Sequence, residues 1–143
     1  MNAQKVKRDR NGQLRIHIVQ VMTGLGRPVT ASVIADRCDS RCPELMTDGV
    51  SLFVVATNLG FLRTEGVTMR RNFRTGRNIT VRGVEVGEDG IVHSKIIQET
   101  VALWFLQKEW SREKLNEFQE QFIIEMNAKR KAAADARKIH QST

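Results

Sequence analysis

The chain has 143 residues, 41% of them hydrophobic, which suits one domain with an appendage and a real core. A formal net charge of +7 favours polyanionic partners: DNA, RNA or an anionic membrane surface. No apolar run is long enough to span a bilayer, and the polar start "MNAQKVKRDRNG" lacks the apolar segment of a secretory signal, so a cytoplasmic protein with no membrane partner is expected. Cys38 and Cys42 are the only cysteines, which excludes a disulfide framework, and the absence of tyrosine argues against stacking of single-stranded bases.

Residues 1–12 read as a flexible basic arm, with Lys5, Lys7, Arg8 and Arg10 against one acid, Asp9. In "QLRIHIVQVMTGLGRP", Leu14, Ile18, Val21 and Met22 recur at helical spacing, Ile16 and Val19 widen the apolar face, and the glycines and proline end a first helix. His17 is expected as a boundary or core histidine. "VTASVIADRC" predicts a short second helix capped by Thr30, with Val33, Ile34 and Cys38 facing inward. "LMTDGVSLFVVATNLGFL" predicts a third helix with an N-cap at Thr47 or Asp48. Val50, Phe53, Val54, Thr57 and Leu59 lie on its packed face, and Asn58 and Gly60 close it.

A β-hairpin is expected next. Val67, Met69 and Phe73 alternate on one arm, Ile79 and Val81 on the other, and "RTGR" lies between them as a glycine turn. That register turns Arg70 and Arg82 outward and puts Arg74 and Arg77 near the tip, with Arg71 interrupting the alternation. "GEDG", Gly87 to Gly90, is a second break. After it Ile97, Val101, Trp104 and Phe105, and also Leu103, Leu106 and Trp110, recur at helical intervals, so a buried helix is predicted there. Ser111 offers a fresh N-cap, with Trp110 and Leu115 in staple positions. Leu115, Phe118, Phe122 and Met126 continue as a stripe that fades into a basic, alanine-rich end from Lys129.

Helix, short helix, third helix and two-stranded hairpin, in that order over Gln13 to Val86, resemble a winged helix-turn-helix domain. The stretches that carry the likeness are "RPVTASVIADRC", "TDGVSLFVVATNLGFLRTEG" and "VTMRRNFRTGRNITV". The fold class expected is therefore mainly α with a small β-hairpin: a winged-helix-like domain over residues 13–90 and a C-terminal helical extension over residues 91–143. In that family the third helix enters the major groove and the wing touches phosphate or the minor groove. The resemblance thus implies duplex DNA as partner, with Arg70, Arg71, Arg74, Arg77 and Arg82 on the wing and Thr47, Ser51, Thr57 and Asn58 on or beside the third helix. One departure matters. Asp48 to Asn58 holds no lysine or arginine, which removes bidentate Arg-to-guanine readout, and Asp48 would repel phosphate.

The chain carries no P-loop, dinucleotide fingerprint or nucleophile elbow, and the glutamates from Glu109 to Glu120 alternate with basic residues as a solvated helix face does. Cys38 and Cys42 lack a second ligand pair, and His17, His93 and His140 are scattered, so neither a metal site nor a cofactor is expected and no enzyme activity is assigned. Trp104, Phe105, Trp110, Leu115, Phe118 and Phe122 offer more apolar surface than a helix packed on one side needs, which predicts a homodimer through the C-terminal helices. The leading expectation is a DNA-binding transcriptional regulator acting by occupancy as a dimer. The competing one is a protein-interaction module, an inhibitor or adaptor of a nucleic-acid machine. RNA binding through the same basic surface ranks below both.

Overall fold

Three helices come first: α1 (Ala3–Leu25), α2 (Ala31–Arg41) and α3 (Ser51–Thr64). A two-stranded antiparallel hairpin follows, β1 (Thr68–Val86) and β2 (Val92–Leu106), and α4 (Arg112–Gln141) closes the chain. The computed structural model describes residues 3–46 and 51–141. The fold is mainly α with one two-stranded hairpin, the coarse class expected from the order of the elements. No described helix is long and apolar enough to cross a membrane.

The chain divides into two compact units. One comprises the chain up to Arg71 with Ala102–Ser111; the other comprises Asn72–Val101 with the chain from Arg112. These bounds do not coincide with the expected boundaries at residues 12, 13, 90 and 91. Residues 3–12 belong to the first turns of α1 rather than to a separate arm.

In the first unit, Leu14, Ile18, Val21 and Met22 of α1 meet Ile34, Ala35 and Cys38 of α2, and Val55, Leu59 and Leu62 of α3; Trp104 and Leu106 of β2 complete the core. Full burial of each large aliphatic side chain stabilises by about 1.5–3 kcal/mol. The α1 stripe lies where its spacing put it, although Ile16 is exposed. Thr30 caps α2, its hydroxyl accepting from the Val33 N–H, while Val33 itself faces out. Between α1 and α2, Val29 forms an antiparallel bridge with Trp104: the Val29 N–H donates to the Trp104 carbonyl at 3.0 Å and the Trp104 N–H returns to Val29 at 2.7 Å. Val29 thereby lines the edge of β2 opposite β1.

The phase of α3 differs from the expected one. Val55, Asn58, Leu59 and Leu62 are buried, Val54 is half-buried, and Phe53 and Thr57 face solvent. The helix continues past Asn58 and Gly60 to Thr64. The proposed N-caps Thr47 and Asp48, and Val50, lie outside the described residues.

The hairpin is longer than expected and turns elsewhere. "RTGR" is not a turn but the middle of β1, and the chain reverses at "GEDG", where the Gly87 N–H donates to the Ile91 carbonyl. Residues 92–106, expected to be helical, form β2. Nineteen residues of β1 face fifteen of β2, so β1 carries an excess that bulges must absorb. Gly76 and Gly83, at φ 83° and 78°, mark left-handed positions inside β1. The left-handed glycine that signals a hairpin turn is therefore used to kink a continuous strand.

In the second unit, α4 starts directly after Ser111 and lays Leu115, Phe118, Gln119 and Phe122 inward. Phe73 of β1 meets Phe118 edge-on at 5.3 Å between ring centroids and Phe122 at 6.4 Å. The Gln119 amide then acts as a short piece of strand. Its Oε1 accepts from the Arg74 N–H at 2.8 Å and its Nε2 donates to the Arg74 carbonyl at 3.0 Å. Arg130 donates from Nη2 to the Thr75 carbonyl at 2.8 Å. The missing Cβ of Gly76 makes this approach possible: a methyl there would sit 2.9 Å from Ile123 Cγ2 and 3.0 Å from Asn127 Oδ1.

Candidate nucleic-acid interface

Alternation along β1 sorts the arginines. Phe73 and Thr75 are buried, so Arg74 between them faces out. Beyond the Gly76 kink, Ile79 and Val81 are half-buried while Arg77 and Arg82 are exposed. Arg70, in the first unit, is exposed with its guanidinium 5.8 Å from the Trp104 ring centroid, and Arg71 is half-buried. From Thr68 to Arg82 the strand holds five arginines and no acid.

Arg74 and Arg77 do not reach a tip. They flank Gly76 in mid-strand, where Arg74, Gly76, Arg77, Asn78, Gln98 and Ile123 line a recess of about 190 Å³. Arg77 Nε lies 3.9 Å from Glu99 Oε2, a loose contact for a side chain that is 58% exposed. Glu99 Oε1 also accepts from the Thr75 hydroxyl at 2.9 Å, which anchors the carboxylate to β1. The true tip bears Glu88 and Asp89. Asp89 sits below the usual carboxylate range because it accepts the Ile91 N–H and, secondarily, a hydrogen bond from His93. An acidic tip is unsuited to entering a groove of duplex DNA, and the exposed arginines lie along the shaft of β1 instead.

The third-helix candidates divide. Asn58 is buried: its Oδ1 accepts from Arg15 Nε at 3.0 Å and its Nδ2 donates to the Val54 carbonyl at 2.9 Å. It holds α1 to α3 and does not face a base. Ser51 donates to Asp39 Oδ1 at 2.7 Å. Thr57 is exposed, its hydroxyl donating back to the Phe53 carbonyl with lone pairs left to accept. Thr47 lies outside the described residues. The solvent face of α3 is largely apolar instead, with Leu52 at 52%, Phe53 at 68% and Phe61 at 41% exposure. Arg15 from α1 lies 3.5 Å over the Phe61 ring and sets a positive charge against this face. Sequence reading missed this face and Arg15. The signal was there: "SLFVVATNLGFL" is apolar around its whole circumference, more than one buried side requires.

The expected dimer patch is used inside the chain. Trp104, Phe105, Leu115, Phe118 and Phe122 are all buried within the chain, and Trp110 is half-buried. The surplus apolar surface that motivated a dimer is thus absent at these six positions.

Among the described residues no group of three or more His, Cys, Asp or Glu side chains could hold a metal ion. Burial first, and the neighbouring Cys42 second, push the Cys38 thiol up to about 12, which keeps it protonated and unreactive. Neither a family model, nor a curated protein, nor a solved structure matches this chain.

Proposed function

We propose that the chain is a winged-helix-type regulator that binds duplex DNA through the shaft of its hairpin. The element order supports the winged-helix reading: two helices separated by a bridged Val29, a third helix, then a hairpin whose second strand pairs with Val29. The observation that carries the DNA reading is the acid-free arginine run of β1, with Arg74, Arg77 and Arg82 exposed on a strand braced by α4. Neutralised phosphates release condensed counterions, so the logarithm of the affinity should fall with the logarithm of salt by about 0.9 for each phosphate neutralised. Fluorescence anisotropy with a labelled duplex across a salt series tests this. Replacing Arg74 and Arg77 by alanine weakens binding to every sequence and makes the slope shallower by roughly one for each phosphate that is no longer neutralised. Absence of binding at low salt removes the reading.

A second reading rests on a different observation. The apolar solvent face of α3 carries Leu52, Phe53 and Phe61 where a base-reading helix carries polar and basic side chains. This favours a protein partner on α3, whether or not the hairpin holds DNA. Phe53→Ser leaves DNA affinity unchanged under this reading and lowers it if α3 enters the groove.

A further inference from the structure

A groove of about 500 Å³ runs between the C-terminal half of α1 and the C-terminal half of α2, within the first unit. Gln20, Val21, Gly24 and Leu25 form one wall, and Arg37, Ser40 and Arg41 form the other. It is separate from both surfaces considered above.

Arg37 and Arg41 stand four residues apart on one helix, so their Cβ atoms lie about 5–6 Å from each other on a single face. Arg41 is pre-positioned. Its Nε donates to His17 Nδ1 at 3.2 Å and its Nη2 to Gln20 Oε1 at 2.5 Å. Neither acceptor is a carboxylate, so these contacts hold the guanidinium without an opposite charge beside it. Two of its five N–H donors are thereby used, and among the described residues the other three make no hydrogen bond. Among the described residues neither Arg37 nor Arg41 forms a salt bridge to a carboxylate. Nearby Asp39 is engaged by the Ser51 hydroxyl. Gly24 lines the groove, and a Cβ built there meets nothing within 4 Å. Val21 and Leu25 add apolar surface to the same wall.

We propose that this groove is a binding site for a small oxyanion, a carboxylate or phosphate group held by Arg37 and Arg41, with a short aliphatic portion against Leu25 and Val21. Two guanidinium groups on the wall of one groove suit a planar carboxylate or a phosphate edge. The groove is open to solvent, so affinity is expected in the millimolar to high-micromolar range. A ligand here would brace the C-terminal ends of α1 and α2 against each other.

The full-length protein, without nucleic acid, is titrated with acetate, hexanoate and inorganic phosphate at constant ionic strength. Amide and arginine Nε chemical shifts are followed by NMR. Saturable shifts confined to residues 20–25 and 37–41, with hexanoate several-fold tighter than acetate, support the site as described; saturation by phosphate alone shows that the head group is recognised but overturns the aliphatic part. Gly24→Leu fills the groove while leaving both arginines in place, and a helical leucine is better tolerated than glycine. It should weaken binding at least tenfold with thermal melting unchanged or raised. Arg37→Gln, at an exposed position, provides the independent second variant and should weaken binding similarly. Shifts that grow linearly for all three anions, or Gly24→Leu and Arg37→Gln proteins that bind like the parent, overturn the proposal. Because no DNA is present, either result leaves the DNA reading standing or falling by its own test.

Discussion

Replacing Gly76 by alanine should destabilise the second unit by about 2–5 kcal/mol, and the size follows from two separable costs. The first is conformational: at φ 83° an L-residue sits in the left-handed region, which costs roughly 1–2 kcal/mol. The second is steric. The new methyl would lie 2.9 Å from Ile123 Cγ2, 3.0 Å from Asn127 Oδ1 and 3.2 Å from Arg130 Nη2, so α4 must back away from β1. Overpacking of that kind costs about 1–3 kcal/mol. Gly26→Ala is the control. Gly26 also has positive φ, 63°, but a Cβ there meets nothing within 4 Å, so it isolates the conformational cost. Urea unfolding followed by far-UV circular dichroism compares the two; with m about 2 kcal/mol/M, Gly76→Ala lowers the midpoint by roughly 1–2.5 M. Tryptophan fluorescence is the wrong probe, because Trp104 and Trp110 both belong to the first unit. Equal losses for Gly76→Ala and Gly26→Ala would refute the packing of α4 on the strand and would suit a glycine at a free turn.

Gln119→Leu keeps the volume but strips the Arg74 N–H and carbonyl of their partners, and should cost about 1–3 kcal/mol, read by faster amide exchange at Arg74. Thr30→Ala removes the α2 cap and should lower stability by about 1 kcal/mol in a thermal or urea melt. The Cys38 thiol should resist iodoacetamide at pH 8 in the folded protein and react on unfolding. Its folded pKa, about 12, exceeds the ordinary thiol value, so its contribution to stability is complete at neutral pH and is lost as pH climbs from about 9 towards 12, measurable by urea midpoints across that range.

The helical half of the fold was legible because its physics is local. Leu14, Ile18, Val21 and Met22 repeat with the helix period, and Thr30 has the one side-chain oxygen placed to cap α2. The hairpin was half legible. Period two identified β1, but the glycine at 76 carries the same left-handed signature in a bulge as in a turn, and only α4, some fifty residues on, decides between them. The run "ALWFL" is buried throughout Leu103–Leu106, and a strand buried on both faces has no alternation to tell it from a helix. Its β-branched neighbours Ile96, Ile97, Thr100 and Val101 were the better guide. At the site, arginine density was readable, but its place on the shaft was not. Asn58 illustrates the remaining gap: an exposed polar reader and a buried brace between α1 and α3 look alike until Arg15 is seen bonded to it.

Amide chemical-shift mapping of the full-length protein with a short duplex at low salt tests the central reading most directly. Binding through the hairpin shaft predicts that the largest shifts fall on Arg74–Arg82 of β1, with the acidic turn at Gly87–Ile91 little changed. Shifts centred on that turn or on Leu52–Phe61 of α3, with the β1 arginines silent, would contradict it.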